Sequence, residues 1–143
     1  MDRLTKGQRL KNMQAVRNKG SKIETILGKG LWAKGFRYRK NDKTVFGKPD
    51  FVFKKLKIAI FCDSEFWHGK NWNKRKYEHK SNIDFWHNKI LRNIQRDKQV
   101  NRKLTEDGWL IIRFWGKEIE KNSSFCIHKI EQEVQCRRKE LKL

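Results

Sequence analysis

Apolar residues in this chain occur in a few short patterns separated by polar, lysine-rich sequence. Ile23, Ile26, Leu27, Leu31 and Trp32 recur on a period near 3.6, which predicts one buried helix face. Ser21-Lys22-Ile23-Glu24 has the form of a capping box at its start, and Gly35 can close it as a cap. A second capping box, Thr5-Lys6-Gly7-Gln8, predicts a shorter basic helix to about Val16, broken by Asn18 to Gly20. Phe36 to Arg39, Phe51 to Phe53 and Leu56 to Cys62 read as strands, with Lys54-Lys55 as the turn between the last two. Ile83 to Glu106 reads as a long helix with Trp86, Ile90, Ile94 and Leu104 on its apolar side, ended by Asp107-Gly108. Trp109 to Trp115 forms another strand and Ser123 to Leu141 a closing helix. The order α, α, β, β, β, α, β, α predicts an α/β fold: a small mixed sheet flanked by helices.

The 143 residues suit a single domain. A formal net charge of +20, from 36 Lys+Arg against 16 Asp+Glu, favours polyanionic partners. Nucleic acid fits best. A ribosomal-type binder and an anionic membrane surface share that charge, but no helix sets Lys and Arg opposite a Trp/Leu stripe. Cys62, Cys126 and Cys136 are odd in number and form no CxxC pair, so reduced thiols in a cytosol are expected. No apolar run approaches the ~20 residues of a membrane span, and no signal peptide is recognisable.

The chemistry concentrates around one strand. Asp50 begins one strand and Asp63 ends the next, so a tight turn should bring them together. Paired carboxylates repel unless a cation lies between them. Hard oxygen ligands with open positions suit Mg²⁺, which could ionise a water and polarise a phosphodiester. The plainer reading makes Asp50 a turn acid after Pro49 and Asp63 a strand cap. Phe66-Trp67-His68 follows directly, in a stretch rich in Lys and Arg. The aromatics could be core, or could stack on bases. His68 could be structural or a general base.

The segments "KNMQAV", "SKIE", "GKPDFVF", "IFCDSEFWHG", "DFWHNKI", "RNIQRDK" and "GWLIIRFW" resemble, in order and spacing, those of very short patch repair (Vsr) endonucleases. The resemblance covers roughly residues 8 to 120. It implies a type II restriction endonuclease-like fold of the PD-(D/E)xK class. It also implies Mg²⁺-dependent nicking of double-stranded DNA 5′ to the thymine of a T:G mismatch, the product of 5-methylcytosine deamination. By position it makes Asp50 a metal ligand, Cys62 a ligand through its backbone carbonyl, His68 the general base, and Glu24 and Asp97 acids around the metal and its waters. Phe66, Trp67 and Trp86 correspond to wedges entering the base stack from the major groove, and Met13 to one entering from the minor groove. Residues 1–20 become a basic DNA-contacting segment, and the expected state is a monomer on DNA in a bacterial cytoplasm, associated with the nucleoid. A functional link to a cytosine-5 DNA methyltransferase follows. A nuclease without mismatch preference, in restriction or defence, and a catalytically inactive basic DNA-binding protein are the rival readings.

Two departures from the family pattern matter. Asp63 stands where well-known members have histidine, and so is expected as a second metal-binding catalytic acid. Glu65 takes the usual lysine place of the motif. Where those members bind structural zinc through three cysteines and a histidine, this chain has Glu65, Lys70, Trp72 and Lys117. That set does not suit tetrahedral zinc, so no structural zinc is expected. Trp72 against Trp115 or Phe114, or an ion pair of Glu65 with Lys70 or Lys117, is expected to hold the loop instead.

Overall fold

In a computed structural model, residues 22–65, 68 and 83–142 are described, with the backbone alone for 83–86. The basic helix expected near 5–16, together with Met13, Phe66 and Trp67, lies outside the described residues, as does the Trp86 side chain. Helix α1 (residues 22–33) is followed by β1 (Arg39–Lys40), β2 (Phe51–Phe53), β3 (Ile58–Asp63), α2 (Ile83–Glu106), β4 (Leu110–Trp115) and α3 (Gly116–Glu140). The strands form one sheet in the order β1-β2-β3-β4. The first three are antiparallel neighbours, while β3 and β4 run parallel with α2 as the crossover. The expected α/β class is therefore the observed one.

Alternation along the strands builds two cores. Phe51, Phe53, Ile58, Ile60, Ile112 and Phe114 face α1 and α3, meeting Ile23, Leu27, Leu31, Ile119, Ile127 and Ile130. Val52, Ala59 and Phe61 face the other way, onto Val100 and Leu104 of α2. Burial on both faces explains why β3 reads as a continuous apolar run. Gly30 permits the close approach of α1 to α3, because a side chain there would collide with Ile127.

The structure differs from the sequence expectation at β1, at Trp32 and at the start of α3. Strand β1 pairs only at Arg39 and Lys40, because the preceding backbone closes α1. Gly35, at φ +90°, donates to the Trp32 carbonyl, and Phe36 donates to that of Leu31. These two bonds complete a Schellman cap. Trp32, expected on the buried face, is instead 54% exposed, with the Arg37 guanidinium 3.5 Å from its ring centroid. Helix α3 begins directly after β4, but Asn122 (φ −138°, ψ 50°) kinks it, so the predicted start at Ser123 marks its second segment. Arg137 in α3 donates to the carbonyls of Leu56 (2.8 Å) and Gly108, tying the helix to the starts of β3 and β4. Among the described residues no helix is long and apolar enough to cross a membrane.

Candidate active site

The antiparallel register sets Phe51 opposite Ile60, so Asp50 lies level with the end of β3. The Cys62 N–H donates to Asp50 Oδ2 at 2.7 Å. The Glu24 carboxyl, on the first turn of α1, is also within hydrogen-bonding reach of Asp50. Burial, helped by Glu24 and by the charge of Asp63, raises Asp50 to about 8, although the Cys62 N–H opposes this. Two carboxyls in contact in a largely buried place must share a proton or hold a cation. Their donors are hard oxygens, which fit Mg²⁺. The Cys62 thiol offers little as a ligand, since burial and the surrounding acids push it far above its ordinary range.

A second group lies on the α2 face of the same strand ends. Asp63, 5% exposed, accepts from Arg113 Nη1 with both carboxylate oxygens at 3.1 Å. The parallel pairing of β3 with β4 creates this contact by setting Arg113 opposite Phe61. Arg113 also donates from Nε to Asn101 Oδ1 at 2.8 Å and lies 4.0 Å from the Phe61 ring centroid. Asn101 and Asp97 are one helical turn apart on α2, so both reach the guanidinium; Asp97 Oδ1 is 3.6 Å from Nη1.

His68 completes the second group. Its N–H donates to the Ser64 carbonyl, closing a turn directly after β3. That turn brings Nδ1 to 2.6 Å from Asp97 Oδ2 and 3.7 Å from Asp63 Oδ1. Burial disfavours the imidazolium, but the bond to Asp97 and the charges of Asp63 and Asp97 outweigh it. The net effect raises His68 above its ordinary value. Burial raises Asp63 as well, against the pull of His68 and Arg113.

Asp50, His68, Asp97 and Arg113 line one cavity of about 280 Å³, with Lys48 and Arg96 also in its wall. The structure thus brings Glu24, Asp50 and Cys62 into one cluster and Asp63, His68 and Asp97 into an adjoining one. The second could itself hold a cation, its ligand atoms lying within 4.8 Å of one another, but Arg113 already supplies a positive charge there. Glu65 reaches Lys117, one of its two expected partners, through the backbone rather than the ammonium: Oε1 accepts from the Lys117 N–H at 2.7 Å.

Sequence reasoning gave Arg113, Asn101 and Lys48 no part in this site. Arg113 had a legible signal, because a lone cation inside an apolar strand must find an anionic partner. Asn101 and Lys48 had none, since both lie among many polar residues.

Carboxylates at adjacent strand ends of a small mixed sheet, with an acid-held histidine beside them, define a nuclease of the restriction endonuclease-like class. The profile of the family described as DNA mismatch endonuclease Vsr matches residues 1–74. A type II nicking enzyme of Neisseria meningitidis serogroup C, V.NmeDIP, is 53% identical over 94% of this chain and 90% of its own. A type II nicking enzyme of Haemophilus parainfluenzae, V.HpaIIP, is 59% identical over 85% of this chain and 87% of its own. The DNA mismatch endonuclease Vsr of Escherichia coli is 33% identical over 77% of this chain and 70% of its own. The chain belongs to the Vsr family of DNA endonucleases.

Proposed function

We propose that this enzyme hydrolyses one phosphodiester of duplex DNA, nicking one strand at or near a T:G mismatch left by deamination of 5-methylcytosine. The observation that carries the reading is the meeting of the Glu24–Asp50 carboxyl pair with the His68–Asp97 pair at the ends of β2 and β3. In this reading Glu24, Asp50 and the Cys62 carbonyl hold Mg²⁺. An extended residue points its N–H and C=O the same way, so the Cys62 carbonyl faces the side on which its N–H meets Asp50. The bound ion would supply Lewis-acid stabilisation of the charge that develops on the phosphate. Asp63, expected as a further metal ligand, stands beside them with both oxygens taken by Arg113.

The chain's own groups do the rest. Asp97 accepts the His68 Nδ1 proton, which leaves Nε2 free to take a proton from the attacking water. Lys48 and Arg96, in the cavity wall, offer positive charge to phosphate oxygens. They stand in for the lysine that Glu65 displaces from the usual motif position. Phe66, Trp67 and Trp86, with Met13 from the opposite groove, act as wedges. Opening a base step costs a few kcal/mol, and a mismatch lowers that cost. The enzyme acts as a monomer on DNA and works beside a cytosine-5 DNA methyltransferase, whose product generates the mismatch.

Relatives at 53% and 59% identity are named nicking enzymes, without reference to mismatches. Nicking without mismatch preference is therefore the second reading. A panel of T:G, other mismatched and fully paired duplexes, assayed with Mg²⁺, separates the two. Preferential nicking of T:G supports the proposal. Equal rates on matched and mismatched duplexes support the second reading.

A further inference from the structure

Arg113 is more than a brace for the sheet. Its guanidinium meets three groups at once: both oxygens of Asp63, the amide oxygen of Asn101 and, at 3.6 Å, Asp97. Its Nη2 is buried with no hydrogen-bond partner among the described residues. Burying a cation this way is costly, and an apolar side chain would fill a strand position facing Phe61 and α2 at less cost.

The arrangement around His68 shows what that burial achieves. Two carboxylates compete for one Nδ1 proton: Asp97 at 2.6 Å and Asp63 at 3.7 Å. Arg113 engages both Asp63 oxygens, so Asp63 is neutralised and held off the imidazole. The nearer oxygen of Asp97, Oδ2, stays with His68, while its other oxygen, Oδ1, faces Arg113. We infer that Arg113 is a positioning residue: by holding Asp63 it makes Asp97 the one acceptor for His68 Nδ1–H and fixes the ring with Nε2 toward the cavity. Freed, Asp63 would be a second anion in the site, able to draw the ring out of register.

This inference rests on His68 acting as the base, which His68→Ala tests separately through loss of nicking. The experiment for Arg113 compares Arg113→Met, Asp63→Asn and the double variant by circular dichroism, steady-state nicking and ¹⁵N NMR of the His68 ring without metal. Arg113→Met should lower kcat about 10–100-fold, the scale seen when a supporting partner of a site residue is lost. KM for duplex should change little, and the His68 ring nitrogens should lose the single Nδ1–H tautomer of the unaltered protein. Adding Asp63→Asn removes the freed anion, and should recover about tenfold of kcat, a coupling expected of neighbours in one network. Arg113→Lys should not rescue, because one ammonium cannot reproduce the planar fork. If Arg113→Met fails to fold, the double variant has no buried unpaired charge and is assayed alone. It must then nick within about tenfold of the unaltered enzyme, the same coupling scale. The inference is overturned by an unchanged His68 tautomer and kcat in folded Arg113→Met, or by a folded double variant with no recovery.

Discussion

Asp97 Oδ2 lies 2.6 Å from His68 Nδ1, joining the middle of a long helix to a turn 29 residues earlier in the chain. His68 and Asp97 both line the cavity that Asp50 also lines. In the proposed mechanism this pairing directs His68 as the base and gives a mid-helix aspartate, a poor helix former, a function.

Asp97→Asn should leave duplex affinity near its original value and lower kcat about 100-fold or more, within the range of general-base contributions. Its pH–rate profile is equally informative. His68 is raised above its ordinary 6.5, with Asp97 among the causes. The acidic limb of kcat/KM should therefore lie above pH 6.5 in the unaltered enzyme and move down in Asp97→Asn. An unmoved limb would show that another group sets it.

Asp50→Ala should abolish Mg²⁺-dependent nicking while duplex binding survives. Near-normal nicking by the purified variant would remove Asp50 from the site.

Asp50 also makes metal-free stability depend on pH. Its folded value, about 8, lies above the ordinary 3.8, so the folded state binds the extra proton between those limits. Stability should be greatest near the acid end of this window and fall as pH rises toward 8. Mg²⁺ should raise Tm more at pH 8 than at pH 6, and Asp50→Asn should flatten the pH dependence. Thermal melts with and without Mg²⁺ read all three, and a pH-independent Tm contradicts the paired-acid assignment.

Lys48 adopts φ +50° without being a glycine, immediately before Pro49 and Asp50. Lys48→Gly relieves that strain and should raise stability by about 0.5–1 kcal/mol. The same change removes a cation from the cavity wall and should lower kcat about tenfold or more, as expected for a lost phosphate contact. A variant that is both more stable and fully active would show that the ammonium has no catalytic part.

Glu65 caps the first turn of α3 through the Lys117 N–H. By the resemblance, the two residues stand where well-known family members place zinc ligands, and we propose that this carboxylate cap takes the place of a metal bridge. Glu65→Ala should cost about 1 kcal/mol, the usual scale of a lost helix cap. Without added Mg²⁺, the melt of the unaltered protein should be insensitive to chelators. Near-stoichiometric zinc in protein purified without added metal would sink this proposal.

Sequence alone determined the elements and the chemistry they carry. A 3.6-residue period marked α1, uninterrupted apolar runs marked β3 and β4, and acids just before β2 and at the end of β3 marked the cleft. These signals are local, and physical chemistry acts on them within one turn or one strand. Tertiary structure decided which groups meet. Parallel pairing of β3 with β4 set Arg113 beside Asp63, fifty positions apart in sequence. The same alternation turned Ile111 and Arg113 toward α2 and left Ile112 and Phe114 to the opposite core. The division of five site residues into the Glu24–Asp50 carboxyl pair and an arginine-held group of Asp63, His68 and Asp97 depends on that register and on the seating of α2. Neither can be read from residue spacing, because contacts between distant segments depend on how whole layers pack rather than on any one segment's pattern.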